Sequence, residues 1–160
     1  MKFLFFSSIM LCLLSSCNSQ QTAKQLAIAE KTAIESARPG TIPAKEGGWT
    51  MTAKINGKAW TATSLMPPEA AGRIIGYYKD AYIGLPYYHK MGEKINFGES
   101  NAVDLSVDGD DNFYGGRTGG MEITKVNGDW VEGIFHFTAN SKGSSKTFEV
   151  TDGFFRISMK

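Results

Sequence analysis

The chain has 160 residues and a formal net charge of +1 at pH 7, from 17 basic and 16 acidic side chains. A near-neutral charge without long runs of one sign excludes functions that need a strongly basic face, above all nucleic-acid binding. Both cysteines, Cys12 and Cys17, precede residue 18, so the rest of the chain can hold neither a disulfide nor a cysteine metal site.

Residues 1–16 have the parts of an export signal. Lys2 supplies a positive charge, residues 3–14 form an apolar stretch shorter than the roughly 20 residues that span a bilayer, and two serines follow. The sequence Leu14-Ser15-Ser16-Cys17 resembles a bacterial lipobox, in which the cysteine receives a diacylglyceryl group. The resemblance implies cleavage after position 16 and attachment to a membrane through lipid on Cys17. The alternative is an ordinary cleaved signal peptide followed by an unmodified cysteine.

The residues that follow Cys17 bear on its location in the envelope. Residues 18–21 lack the acidic run that resembles surface-export signals in such lipoproteins. We therefore predict an outer-membrane lipid anchor with the domain on the periplasmic side. Two or more acyl chains are sufficient for stable attachment.

Residues 17–48 are predicted to be a tether. Residues 22–37 are rich in Ala, Lys, Glu and Gln, which favour helix, but their apolar stripe is thin. This pattern predicts a marginal helix over 22–37. The two prolines of residues 38–43 end it.

Residues 49–160 are predicted to form one β-rich domain. Apolar residues occupy alternate positions in several segments, which predicts strands with one buried face. The dipeptides Asn56-Gly57, Asn127-Gly128 and Asp152-Gly153 predict hairpin turns, because these residues accept positive φ. The prediction is an all-β fold, an antiparallel meander that forms a small sandwich or a partly open barrel.

Two segments of this domain carry a family resemblance. They are MTAKINGKAW at 51–60 and GIFHFTANSKGSSKTFEVTDGFFRI at 133–157. With the lipobox, they resemble uncharacterised small β-rich envelope lipoproteins of Bacteroidetes-type bacteria, in which similar motifs open and close the domain. Residues 65–120 share little of this pattern. The resemblance implies a fold and an envelope location, and it supplies no catalytic residues.

The tyrosines are the candidate ligand or partner face. Aromatic rings with polar tips can form a platform for sugars or a hot spot for a protein partner. Tyrosine is also a good strand residue, so packing within the sheet explains the same composition. The residues concerned are Tyr77, Tyr78, Tyr82, Tyr87, Tyr88 and Tyr114.

Asp104, Asp108 and Asp110 are a candidate for low-affinity calcium binding, because this segment matches part of a calcium loop at Asp104, Ser106, Asp108 and Gly109. The match ends at Gly115, where a bidentate Glu is required. The alternative is an acidic turn whose side chains cap their own backbone. Residues 115–120 are rich in glycine but lack phosphate-loop spacing, so a flexible connector is predicted there. No cofactor is expected.

No catalytic constellation is visible in the sequence. The predicted function is therefore a lipid-anchored, non-catalytic binding or interaction module with an envelope protein or glycan as its partner. One alternative is a calycin-like carrier of a small apolar ligand, which requires an empty apolar cavity. The other is an envelope hydrolase, which requires His89 or His136 beside a carboxylate and a nucleophile.

Overall fold

The computed structural model describes residues 40–45, 47–141 and 143–159. The predicted signal peptide, Cys17 and the predicted helix at 22–37 lie outside these residues. The described part of the chain contains one four-residue helix and eleven strands. The strands are β1 (Ile42–Pro43), β2 (Thr50–Ile55), β3 (Lys58–Thr61), β4 (Ser64–Met66), β5 (Arg73–Tyr78), β6 (Ala81–Pro86), β7 (Lys94–Asn96), β8 (Val103–Ser106), β9 (Phe113–Asn127), β10 (Trp130–Ser141) and β11 (Ser144–Ser158).

The strands form one antiparallel sheet in the order β1-β4-β5-β6-β8-β9-β10-β11-β2-β3, and β7 pairs with β9. The sheet curls into a half-barrel because the link between β3 and β4 bonds to strands on both sides. The Ala62 amide donates to the Met51 carbonyl of β2 at 2.9 Å, and the Thr63 amide donates to the Tyr77 carbonyl of β5 at 2.7 Å. The prediction of an all-β antiparallel fold is confirmed, and its form is a curled half-barrel.

The core lies on the inner face of the curl, and strand periodicity explains its composition. Along β10, Val131, Phe135 and Phe137 are buried, whereas Ile134 and His136 between them are exposed. The ring centroid of Phe135 lies 6.3 Å from that of Phe137. Burial of each such side chain contributes about 1.5–3 kcal/mol of hydrophobic free energy.

Two of the three predicted hairpins are present. Asn56 and Gly57 have φ of 48° and 77° and connect β2 to β3, as a tight type I′ turn requires. Between β9 and β10, Asn127 pairs with Trp130, so the two-residue loop is Gly128-Asp129 and starts one residue later than the predicted dipeptide. Gly128 has the positive φ there, 58°.

The prediction of a third hairpin at Asp152-Gly153 is wrong, because β11 runs continuously from Ser144 to Ser158. Phe135 of β10 pairs with Gly153, and Phe137 pairs with Val150, so β11 has one extra residue opposite this stretch. Asp152 has a φ of 50°, which makes the site a β-bulge. The segments on both sides of the bulge pair with β10 in one direction, so the positive φ bends the strand and does not reverse it.

The prediction of a flexible connector at residues 115–120 is also wrong, because these residues form part of β9. A Cβ at Gly116 would lie 2.8 Å from Phe137 Cδ2, and a Cβ at Gly119 would lie 2.6 Å from Phe137 Cα. The glycines let neighbouring strands approach closely. β9 pairs with β8 near its start and with β7 further along.

Strands β4 to β7 were predicted only as part of a β-rich domain, and β1 and a short helix were not predicted at all. β1 pairs with β4, so the sheet starts at Ile42, within the segment that the sequence assigns to the tether. A short helix, α1 (Pro68–Ala71), ends at Gly72, whose φ of 63° is typical of a helix C-cap. No helix among the described residues is long and apolar enough to cross a membrane.

Candidate functional site

An aromatic strip, defined as Tyr77, Tyr82 and Phe113, crosses the outer face of the sheet. Tyr77 of β5 pairs with Tyr82 of β6, and their ring centroids lie 5.8 Å apart. Tyr82 pairs with Ser106 of β8, which pairs in turn with Phe113 of β9. Because Ser106 is small, the rings of Tyr82 and Phe113 meet above it with their centroids 6.4 Å apart.

The rings of the strip are partly in contact with solvent. The Phe113 residue is 53% exposed, and Tyr77 and Tyr82 are half-buried. Phe113 is the first residue of β9, and the next residue, Tyr114, points into the core. An exposed phenylalanine that continues a row of tyrosines is the kind of surface that marks interaction sites.

An ion pair flanks the strip in the next row of the outer face. Arg73 Nη1 lies 2.7 Å from Asp104 Oδ2, and Arg73 Nη2 donates to the carbonyls of Gly84 and Ala102 at 3.1 and 2.8 Å. Burial raises the pKa of the Asp104 carboxyl, and the Arg73 guanidinium opposes that increase. Burial also raises the pKa of the Tyr82 hydroxyl, and the charge of Asp104 adds to this effect. The pair is therefore a fixed and partly desolvated charged edge beside the rings.

A second ion pair joins the β5–β6 turn to the loop after β8. Lys79 Nζ lies 2.9 Å from Asp108 Oδ2 and 5.4 Å from the centre of the Tyr78 ring. Tyr78 itself is 36% exposed. Tyr78 pairs with the buried Ala81. Because Tyr77 and Tyr78 are adjacent in the strand, their side chains point to opposite faces of the sheet, and Tyr78 does not belong to the strip.

Tyr87 and Tyr88 follow β6 and pack against the core from one side. The Tyr88 hydroxyl donates to Asn101 Oδ1 at 2.8 Å. The centroid of the Tyr87 ring lies 5.7 Å from that of the His89 ring. Burial raises the pKa of the Tyr87 hydroxyl, and the charge of Glu69 makes a smaller contribution in the same direction. The structure does not bring these two residues to the strip.

Tyr114 is fully buried, so it does not belong to a ligand or partner face. Of the six tyrosines, the structure brings Tyr77 and Tyr82 together, and Phe113 joins them although the sequence prediction missed it. Period-two alternation requires adjacent Phe113 and Tyr114 to face opposite sides of a strand. That signal was present in the sequence, but it does not tell which of the two faces out.

The candidate calcium ligands do not converge. Asp104 pairs with Arg73, Asp108 with Lys79 and Asp110 with Lys146. Within the described ranges, no group of three His, Cys, Asp or Glu side chains is placed to hold a metal ion. The loop therefore matches the alternative of an acidic turn, since Asp110 Oδ1 accepts from the backbone amide of Asn112 at 3.0 Å.

Asp110 is the centre of a hydrogen-bonded cluster that joins this loop to the start of β11. Its carboxylate accepts from Lys146 Nζ at 2.7 Å, from Asn112 Nδ2 at 2.7 Å and from the Tyr114 hydroxyl at 3.0 Å. The Tyr114 hydroxyl also lies 3.2 Å from Ser144 Oγ. Hydrogen bonds from Lys146 and then Asn112 hold the pKa of the Asp110 carboxyl well below its usual range.

We expect Asp110→Asn to lower the free energy of unfolding near neutral pH and to lower it by less at acid pH. The folded chain depresses the pKa of Asp110, so its carboxylate stabilises the fold above the unfolded-state pKa of about 3.9. That stabilisation begins to fall once the pH drops below this value, and it is lost completely only below the much lower folded-state pKa. The gap between the urea midpoints of wild type and variant should therefore be the same at pH 7 and 5 and narrower at pH 3. Asp111→Asn, which removes the adjacent exposed carboxylate, is the control, and an Asp110→Asn gap that stays constant with pH would contradict the prediction.

The histidines do not form a catalytic arrangement among the described residues. His136 is exposed on β10 and lines two open clefts, one with Glu122 and one with Glu149. Neither His136 nor His89 has a hydrogen bond to a carboxylate or hydroxyl within the described part of the chain. The geometry thus gives the hydrolase alternative no support.

The inner face of the half-barrel is filled by side chains. Trp49, Phe135, Phe137 and Phe155 are buried in one continuous cluster, and Trp60 packs against it. Three clefts on the described surface are open to solvent and are lined largely by residues of the outer face. A carrier of a small apolar ligand needs an apolar interior cavity, so this packing does not favour that alternative.

Comparison of the chain with protein-family models found no match. Searches of curated proteins and of solved structures likewise found no match. The resemblance to envelope lipoproteins therefore stays a prediction that rests on the lipobox and the two end segments of the domain.

Proposed function

We propose that this chain is a non-catalytic interaction module of the bacterial envelope, and that the aromatic strip binds a partner protein. The observation that carries the proposal is the exposed ring of Phe113, which continues the row of Tyr77 and Tyr82 on the outer face. The lipid on Cys17 would hold the domain beside the outer membrane, facing the periplasm.

The composition of the surface supports a protein partner. Hot spots of protein interfaces are enriched in Tyr and Arg, and their apolar centres are surrounded by polar residues that exclude water. Here the rings form the centre, and the Arg73–Asp104 and Lys79–Asp108 pairs lie at its margin. Each of these ion pairs contains one positive and one negative charge. The surface is therefore complementary to a partner that also carries both signs of charge around its contact region, and less so to a uniformly charged ligand.

Phe113→Ala is expected to weaken partner binding by about 2 kcal/mol, or about 30-fold, as truncation of a hot-spot aromatic does. The fold should tolerate the change because the ring is largely exposed. To find the partner, a photoreactive phenylalanine is placed at position 82 of the full chain and cross-linked in living cells. We expect a discrete adduct whose yield falls strongly when Phe113→Ala is added.

Position 134 provides the matched control, because Ile134 is also an exposed apolar residue of the outer face but lies on β10, outside the strip. A photoreactive residue there should not give the same adduct. Equal adducts from positions 82 and 134, or an adduct that survives Phe113→Ala at full yield, would show that the strip is not the binding face.

The anchor has its own test. Cys17→Ser is expected to abolish incorporation of labelled palmitate and to release the chain from the membrane fraction. In the wild type, protease added to intact cells should leave the domain uncut, whereas lysed cells should lose it. Digestion without lysis would contradict the periplasmic orientation, and membrane retention of Cys17→Ser would contradict the lipid anchor.

A further inference from the structure

We propose that a second site, on the outer face of β2, β3 and β11, binds a pyranose sugar. We call it the threonine cleft and define it by Thr50, Thr52, Thr61, Phe154 and Arg156. Its volume is about 600 Å³, within the usual range for small-molecule sites. The proposal does not depend on the aromatic strip, because the two sites share no residue.

Strand register assembles the cleft. Thr52 pairs with Phe154 on one side and with Thr61 on the other, and Thr50 pairs with Arg156. These residues alternate with Met51 and Phe155, which point into the core, so their side chains face outward on a rigid sheet. Rigid positioning lowers the entropy that ligand binding would otherwise lose.

Ala44, Lys45 and Gly47 line one side of the cleft, beside the strands. The Ala44 amide donates to the Thr63 carbonyl, in the link between β3 and β4, at 2.9 Å. The Lys45 amide donates to the carbonyl of Trp49, which precedes β2, at 2.9 Å. Backbone hydrogen bonds of the chain itself therefore hold Ala44 and Lys45 beside the strands.

Hydroxyl groups that lack partners point to a polar, hydroxyl-rich ligand. Thr50, Thr52 and Thr61 make no side-chain hydrogen bond to any residue that the structure describes. Each threonine hydroxyl can both donate and accept, as a sugar hydroxyl can. The half-buried Phe154 ring lies among them, and an aromatic ring stacks on the apolar C–H face of a pyranose.

Arg156 supplies fixed donors at one end of the cleft. Its Nη1 hydrogen-bonds to Glu132, and the guanidinium carbon lies 4.6 Å from the centre of the Trp130 ring. Glu132 also lines the cleft and lies 3.6 Å from Lys125 Nζ, so this end presents charged donors beside a carboxylate acceptor. The carboxylate can accept from a sugar hydroxyl, whereas its charge repels a free phosphate ion.

The test titrates the full chain with glucose, N-acetylglucosamine and glucuronate, and separately with inorganic phosphate, while tryptophan emission is recorded. We expect at least one sugar to change the emission saturably, because Trp130 packs on Arg156. A Trp130→Phe variant should remove most of that change. The glucuronate arm shows whether Lys45 adds affinity for an acidic sugar.

Three variants locate the binding. Thr52→Val and Thr61→Val each remove one hydroxyl at nearly constant volume and should weaken sugar binding about 3- to 10-fold, the loss expected for one hydrogen bond. Phe154→Ala removes the stacking surface and should weaken binding at least about tenfold. Thr147→Val, an exposed threonine of β11 outside the cleft, is the matched control and should bind as wild type does.

Urea midpoints are measured for every variant, so that a loss of binding is not mistaken for a loss of folding. The proposal is overturned if no sugar gives a saturable change. It is also overturned if Thr52→Val and Phe154→Ala bind as tightly as wild type, or if phosphate saturates the signal and the sugars do not.

Discussion

Gly119→Ala is expected to destabilise this domain more than any other substitution considered. Gly119 has a φ of 115°, which side-chain-bearing residues rarely adopt, and a Cβ there would overlap the His136 carbonyl oxygen and lie 2.6 Å from Phe137 Cα. Both atoms belong to the backbone of β10, which cannot withdraw without breaking its pairing with β9. We expect a loss of at least about 4 kcal/mol, against a typical total of about 5–15 kcal/mol.

Gly115→Ala is the matched control for this prediction. Gly115 lies in the same glycine-rich run of β9, has no positive φ, and a Cβ there would meet nothing within 4 Å. The substitution also restricts the unfolded chain, so we expect a change of at most about 1 kcal/mol in either direction. Urea unfolding followed by tryptophan fluorescence compares the two, and equal midpoints would contradict the close approach of β9 and β10.

Phe155→Ala should be the second most damaging change. Phe155 is fully buried, and its ring lies 6.5 Å from that of Phe135, centre to centre. The ring also lies directly against Gly133, which has no side chain that could move into the space left behind. Because the cavity cannot collapse easily, we expect a loss of about 3–5 kcal/mol in the free energy of unfolding.

Phe154→Ala tests the same chemistry one residue away. Phe154 is half-buried on the outer face, so its removal should destabilise the domain by only about 1 kcal/mol. The measurement is again the urea midpoint, with the slope of the transition checked for a change in cooperativity. If the two variants were equally stable, the assignment of inner and outer faces along β11 would be wrong.

Local sequence was sufficient to predict several strands towards the two ends of the domain and their buried faces, but not the individual strands between residues 63 and 102. Along β10, alternate apolar residues identified the buried face correctly, because side chains of a strand point to opposite sides in turn. The Asn56-Gly57 turn was also predictable, because a two-residue hairpin depends on the φ preferences of its own two residues.

The predictions failed where the same local sequence is compatible with two different structures. Asp152 adopts a positive φ, as the Asp-Gly dipeptide suggests, but this φ occurs in a β-bulge as well as in a hairpin turn. The glycines of residues 115–120 resemble a flexible loop in sequence, yet in the sheet their missing side chains make room for β8 and β10. In both cases the outcome depends on pairing with strands that are distant in the sequence.

The candidate site was predicted only in part for the same reason. Tyr77 and Tyr114 have the same chemistry, but one lies on the outer face and the other is fully buried. The acidic residues near 104–110 have a calcium-like spacing, but cations from distant segments, Arg73, Lys79 and Lys146, pair with them. No feature of the local sequence indicates those partners.

By itself, the amino-acid order determined that this region would be antiparallel β-structure with one apolar and one polar face, since those properties follow from the two-residue repeat of a strand. Curvature, the bulge in β11 and the alignment of Tyr82 with Phe113 across Ser106 were decided only by the tertiary structure. These features depend on which strands hydrogen-bond to each other and on how closely their backbones approach. Both are determined by residues that are far apart in the chain.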